Sequence, residues 1–322
     1  MKKIEVTDIE GYKIGQVEDA IAGTGCTVII ADGGMAAGLD VRGGGPASRE
    51  SELLKPTAAA EKIHAVVLGG GSAFGLGAAD GVLQYLEEHG IGFDVGITKV
   101  PLVCQSDLFD LTVGDYTVRP DRKMGYEACE KAGIGNYRDG NYGAGCGATV
   151  GKWLGMDYCM KTGIGSAAVQ AGELKVGAIV ALNALGDVFD PESGRKIAGL
   201  LSEDKKSFRS SEELLYELNE AIDNKFTGNT TIGAILTNAD FNKSQLCKIA
   251  SMTHNGYARC IRPVHTSADG DSIYALANGT VHADVDMVGT LAAKVMTKAI
   301  VSAVENAVSA YGFPAYSDLF AK

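Results

Sequence analysis

The sequence predicts an α/β fold built in layers, sheet packed on helix, and three features predict it. Short β-branched apolar runs are bounded by glycine, as buried strands are. Strands come in groups and helices in groups, unlike a regular βαβ winding. No internal repeat and no Pro- or Ser-rich linker divides the chain. The 322 residues are therefore read as one domain, and 46% apolar residues supply enough material for a large core.

Taken in order, "CTVIIA" from Cys26 and "IHAVVLG" from Ile63 read as buried strands. The second runs into Gly69-Gly70-Gly71 and then an amphipathic helix, with Ala73, Leu76, Ala79, Val82, Leu83 and Leu86 on one face and a His-Gly stop. Lys175 to Asp190, "KVGAIVALNALGDVFD", predicts a central strand whose asparagine end opens into a site. "SSEELLYELNEAI" predicts a helix capped by Ser210 or Ser211, with acids in its first turn. "FTGNTTIGAILT" starts as a loop and becomes a strand at Thr230-Thr231. A helix follows with Leu246, Ile249, Ala250 and Met252 inward, then a strand from Asp271. Last comes the long segment "DMVGTLAAKVMTKAIVSAVENAV", apolar over so much of its circumference that it is buried or at a subunit interface.

Composition excludes several function classes. A net charge of -11 offers no basic field for phosphates, so nucleic acid is not expected as a partner. The seven cysteines are odd in number and scattered, without a CxxC pair, which predicts free thiols in a reducing compartment. Acidic residues within the first ten positions and the lack of an apolar run there argue against a signal peptide, and no 18-residue apolar stretch predicts a membrane span. The expected location is the cytoplasm.

The motifs that suggest bound groups fail on spacing. After Gly69 and Gly71 the third glycine of a dinucleotide turn falls one place late, at Gly75. "GAGCGATVGKW" resembles a phosphate loop, but Cys146 stands in place of its first glycine and Trp153 in place of the magnesium-binding hydroxyl. The five histidines, His64, His89, His254, His265 and His282, lack metal-ligand spacing and read as surface or satisfied core residues. Ser72 lacks a nucleophile elbow, because Phe74 occupies the last glycine position. No metal or cofactor is expected.

Thr230 remains, with two readings. It is either a polar strand start or a nucleophile released when the chain cuts itself between Asn229 and Thr230. As an N-terminal residue it would carry its own base, an α-amine of pKa about 7.7–8. Gly228 gives the backbone room to bend for attack on the preceding carbonyl.

Six segments, "LGGGSAFGLGAADGV", "GNYGAGCGATVGK", "ALNALGDVFD", "GNTTIGAILTNA", "GYARCIRPVHT" and "DGDSIYALANG", occur in one order from about Gly43 to the last helix. Together they resemble the DmpA-like peptidases, the family of L-aminopeptidase/D-esterase and β-aminopeptidases. The resemblance implies a four-layer αββα sandwich of the kind shared with ornithine acetyltransferase. It also implies a single self-processing domain, residues 1–322, that splits into an α chain (1–229) and a β chain (230–322), and a homo-oligomer, commonly a tetramer.

By position the resemblance makes Thr230 the nucleophile in preference to Thr231, and Asn183 the amide that stabilises the oxyanion. Asp271 matches the acid of a Ser-Gly-acid triplet. Asp269 departs from its serine, and a carboxylate there favours the ammonium form of the Thr230 amine unless Asp271 or solvent offsets it. Thr230 itself replaces the serine of those peptidases, although the acetyltransferases use threonine. "VPLVCQSDLFDL" aligns with the segment that grips the substrate's free amine in the β-aminopeptidases, placing Gln105 at that position and Asp107 two residues on, so Asp107 or an acid elsewhere is expected to bind the amine. The expected activity is release of N-terminal residues from small peptides, amides or esters. Transfer of the acyl group to an amine, or an uncut binding protein on the same fold, are the alternatives.

Overall fold

The computed structural model describes residues 1–133, 136–217 and 228–319. Ten strands make one continuous hydrogen-bonded set: β1 (Lys2–Ile4), β2 (Lys13–Asp19), β3 (Thr24–Val41), β4 (Ala47–Arg49), β5 (Ile63–Gly69), β6 (Val103–Asp107), β7 (Ile164–Ala171), β8 (Leu174–Asn183), β9 (Thr230–Ala239) and β10 (Ser272–Val281). Their order is β1-β7-β8-β9-β10-β3-β5-β6-β4, with β2 also on β3. Only β9–β10 and β5–β6 run parallel.

The long β3 divides the set into two sheets. Its first half, to Ile30, pairs with β2 and β5, and its last residues, from Ala36, pair with β10. The register shifts between Ile30 and Met35, where Gly34 adopts a φ of 72° that a side chain would disfavour. Strand alternation then sorts the residues into layers. Ile29, Val66, Leu68, Ile179, Ala181, Ile232, Ala234, Tyr274 and Leu276 meet between the sheets.

The opposite faces take helices. Val176, Ala178, Val180, Ile235, Ile273 and Ala275 pack under α3 (Lys243–Cys260) and α4 (Val285–Glu305), while Val28, Ala65 and Val67 pack under α1 (Ala78–Glu88) and α2 (Arg122–Lys131). The outcome is an αββα sandwich, as expected. Helix α3 is started by a reciprocal cap, in which Asn242 accepts from Gln245 N and Gln245 accepts from Asn242 N. Helix α4 has the length and mean hydropathy, 1.4, of a membrane span. Its Val288, Val295, Met296, Ile300 and Val304 are instead buried in the core, each contributing roughly 1.5–3 kcal/mol relative to exposure.

Boundaries differ from expectation in two places. The glycine-rich turn after β5 winds first as a 3₁₀ segment, Ser72–Gly77, so α1 begins only at Ala78, beyond the glycines that weaken a regular helix. The run from Lys175 breaks after Asn183 and resumes as a short strand, Asp187–Phe189. Ser210 caps Ser211–Glu217 by accepting from Glu213 N at 3.2 Å; the rest of that predicted helix and Phe226-Thr227 lie outside the described residues. Met252 is half-buried against Gly289.

Candidate active site

Thr230 is the first residue of β9 and lies directly opposite Asn183, the last residue of β8. Alternation carries both side chains toward the space between the sheets, since Ile232, Ala234, Ile179 and Ala181 of the same parity pack there. Thr230 is 4% exposed and Asn183 is fully buried. The Thr230 hydroxyl donates to the carbonyl oxygen of Asn229, in the peptide unit whose C–N bond self-cleavage would break. Both side-chain polar atoms of Asn229 are buried without a hydrogen-bond partner among the described residues.

Asn183 is held on all sides. Its Oδ1 accepts from Thr149 N at 3.0 Å and from Lys152 Nζ at 2.7 Å, which fixes which end of the amide is the donor. Its Nδ2 donates to Phe109 O at 2.9 Å and to Gly228 O at 3.2 Å. Lys152 Nζ donates to that same Gly228 carbonyl at 2.8 Å and to Asn183 O at 3.1 Å. Two donors therefore converge on a carbonyl two residues before Thr230, at the strand tip where an oxyanion would form.

Lys152 is a buried lysine without an ion pair among the described residues. Burial pushes its ammonium down to about 7, opposed by the charges of Cys159, Asp269 and Asp110. Burial raises Asp110 to about 6, although Thr24 Oγ1 and Gly71 N donate to it. A second buried lysine, Lys161, donates to Gly145 O, Ala148 O and Thr162 O, pinning the glycine-rich turn that leads to Thr149 and Lys152.

The residues before β10 form a tight turn that brings two acids to the site. Asp271 Oδ1 accepts from Thr231 N at 2.8 Å, so it fixes the strand one residue beyond the hydroxyl. Its Oδ2 accepts from the Nδ1 of His265 at 2.8 Å. Asp269 Oδ2 accepts from Thr266 N at 2.8 Å and from Thr266 Oγ1 at 2.6 Å. Burial, then the charge of Asp271, raises Asp269 to about 6, with the Thr266 bonds and Lys152 working against them. Gly270 lies between them, and a Cβ there would stand 2.7 Å from Thr230 Oγ1.

Gln105 and Asp107, expected to lie where a substrate amine is gripped, are not brought into this group. In β6, Ser106 turns between the sheets to bond Tyr274 Oη at 2.8 Å, so its neighbours turn the other way, toward α1. Gln105 Oε1 accepts from Ala79 N at 3.0 Å, and its Nε2 donates to Gly75 O and Asp107 Oδ1, both at 2.8 Å. Asp107 is 1% exposed, and burial holds its carboxyl well above the usual range. A carboxyl buried behind the sheet and bonded to Gln105 is poorly placed to receive an ammonium group at the strand tip.

The family model "Peptidase family S58" matches residues 5–315 of this sequence. The chain is a member of peptidase family S58. It is 36% identical over 348 aligned positions to an uncharacterized aminopeptidase of Mycobacterium tuberculosis, covering 98% of this chain and 97% of the relative. It is 28% identical to a 6-aminohexanoate-oligomer endohydrolase of Agromyces sp., covering 92% of this chain and 84% of that protein. The solved β-aminopeptidase of Burkholderia sp. superposes with a TM-score of 0.66 at 20% identity, covering 96% of this chain and 88% of that one. The L-aminopeptidase D-Ala-esterase/amidase of Ochrobactrum anthropi, described as a variant of the Ntn hydrolase fold, gives 0.68 at 16% identity over 94% and 86%.

The S58 chain is thus a peptidase, a hydrolase on an Ntn-type sandwich. Within it, the structure gathers Thr230, Asn229, Asn183, Asp269 and Asp271 at one end of β8, β9 and β10. Two neighbours escaped the sequence reading. Lys152 closes a glycine run that spacing tests only as a phosphate loop, and the signal available is a lysine in an apolar, glycine-rich stretch with no acid within four residues. His265 was grouped with bland histidines, because its partner, Asp271, is separated from it by a turn.

Proposed function

We propose that this S58 peptidase is a self-cleaving aminopeptidase or amidohydrolase whose nucleophile is Thr230. The observation that carries the reading is the contact of the Thr230 hydroxyl with the Asn229 carbonyl, beside Asn183 and Lys152. In the first step Oγ1 adds to the Asn229 carbonyl carbon, the C–N bond breaks, and the hydroxyl proton passes to the Thr230 nitrogen. Water then hydrolyses the ester, leaving an α chain that ends at Asn229 and a β chain that begins with Thr230.

The freed amine takes the hydroxyl proton in each later turnover and returns it to the leaving amine. Asn183 Nδ2 and Lys152 Nζ, which meet on Gly228 O in the uncut chain, turn to the tetrahedral oxygen once residues 228 and 229 move away. Asp271 holds the tip of β9 through Thr231 N, and Asp269 faces the new ammonium group. Water releases the acyl group.

The names of the relatives support a substrate class. Aminopeptidase and 6-aminohexanoate-oligomer endohydrolase both describe cleavage of an amide in a linear chain. The aminopeptidase name favours release of N-terminal residues from small peptides, amino-acid amides or esters. The reading extends to a homo-oligomer, a tetramer by the resemblance, in the cytoplasm, a location favoured by seven free cysteines. The test is hydrolysis of amino-acid amides by purified protein beside its Thr230→Ala variant. Loss of all turnover in the variant is expected, and an active variant would refute the assignment.

A further inference from the structure

We infer that His265 is a positioning residue for the nucleophile, acting through Asp271; the inference rests on the Thr230 reading above. Asp271 Oδ2 receives two donors from this one residue, the ring Nδ1 at 2.8 Å and the backbone N at 3.2 Å. Its Oδ1 is left to the Thr231 amide at 2.8 Å. One carboxylate thus ties the imidazole to the first peptide unit of the strand that carries Thr230. The side chain of Asp271 is 2% exposed, so water does not substitute for a lost donor.

The chain distorts itself to present this ring. His265 has a φ of 59°, a left-handed conformation that costs a non-glycine residue energy and persists only where the surroundings hold it. Its neighbours supply that hold. His254 packs edge-on at 4.7 Å between ring centroids, and Tyr257 stacks at 6.0 Å. Burial pushes His254 down to about 4, so a neutral ring, not a competing cation, lies against His265. The His254 Nε2 is bonded to Asp40 O at 3.0 Å and makes no claim on Asp271.

The bond also fixes the tautomer. Facing a carboxylate oxygen, Nδ1 carries the proton, and Nε2 has no hydrogen-bond partner among the described residues. The next residue, Thr266, grips Asp269 in the same way, so adjacent residues 265 and 266 hold the two acids of Asp269-Gly270-Asp271. Without the ring, Asp271 keeps one long bond on Oδ2 and is free to rotate away from Thr231 N. The hydroxyl beside it then loses its fixed approach, and a shift of about 1 Å in a reacting atom costs on the order of 10²-fold in rate.

The experiment compares wild type with His265→Ala and His265→Asn. Asparagine tolerates the left-handed backbone and places an N–H where Nδ1 stood, so it should keep the bond. His265→Ala is expected to accumulate uncut chain and to lower kcat by roughly 10- to 100-fold at unchanged KM. His265→Asn should recover most of that loss. Wild-type kcat and cleavage in His265→Ala, or equal impairment of both variants, would overturn the inference.

A folded-state readout stands beside activity. In the uncut Thr230→Ala chain, the ¹⁵N spectrum of labelled histidine should show a proton on His265 Nδ1, and an unprotonated Nδ1 would overturn the assignment even if the variants misfold. Failure of the wild type itself to cleave would instead refute the Thr230 reading, and this inference with it.

Discussion

The Lys152 ammonium lies 2.7 Å from Asn183 Oδ1, and both residues donate to the carbonyl oxygen of Gly228, at 2.8 and 3.2 Å. The lysine thereby does two things: it orients the asparagine amide and adds a second donor beside it. Removing either should slow the chemical step. For Asn183→Ala the expected loss in kcat is roughly 10²–10³-fold, as for other single oxyanion donors. Lys152→Met should also lower kcat and accumulate uncut chain. Steady-state kinetics on an amino-acid amide, with the uncut fraction read from a denaturing gel, measures both.

The proposed self-cleavage should have a pH window set by two buried charges. Lys152, pushed down to about 7, must be protonated to donate its three bonds, so the rate falls as pH rises through that value. Asp269, raised to about 6, loses its charge as pH falls through its own value, which removes the anion facing the site. Cleavage of the uncut chain should therefore peak between the two and decline on both sides. Lys152→Arg keeps its charge at all relevant pH, so whatever rate it retains should lack the alkaline decline. A time course of uncut chain across the neutral pH range checks this.

Gly270 leaves room for the Thr230 hydroxyl. A methyl group there would stand 2.7 Å from Thr230 Oγ1 and 3.0 Å from Gly45 O. Gly270→Ala is expected to displace the hydroxyl and reduce kcat by about 10²-fold, while the thermal midpoint changes little, because the turn is held by the Thr266 bonds to Asp269. An unchanged kcat would show that the hydroxyl moves away without loss.

Most of the fold was legible because period and glycine punctuation are local signals. The strands from Ile63 and Lys175, the buried helix at Val285–Glu305 and the layered arrangement all follow from them. The bend of β3 was not legible, since extended backbone continues across a register shift. At the site, Thr230 and Asn183 came from position within a resemblance, and they are direct strand partners. Lys152 and His265 were missed because their partners are distant or across a turn. Gln105 and Asp107 were misplaced because a loop alignment does not fix which face of β6 a side chain takes.

That last point makes a prediction of its own. Asp107 is bonded to Gln105 behind its sheet, so Asp107→Asn should leave KM for an amino-acid amide unchanged. A rise in KM of tenfold or more, about 1.4 kcal/mol, would return the carboxylate to the substrate's amine.

Self-cleavage at one peptide bond, Asn229 to Thr230, is tested most directly by the intact mass of purified protein. Two fragments are predicted, residues 1–229 and 230–322, with Thr230→Ala giving a single uncut and inactive chain. A wild-type chain that is uncut yet active, or a cut at any other bond, would contradict it.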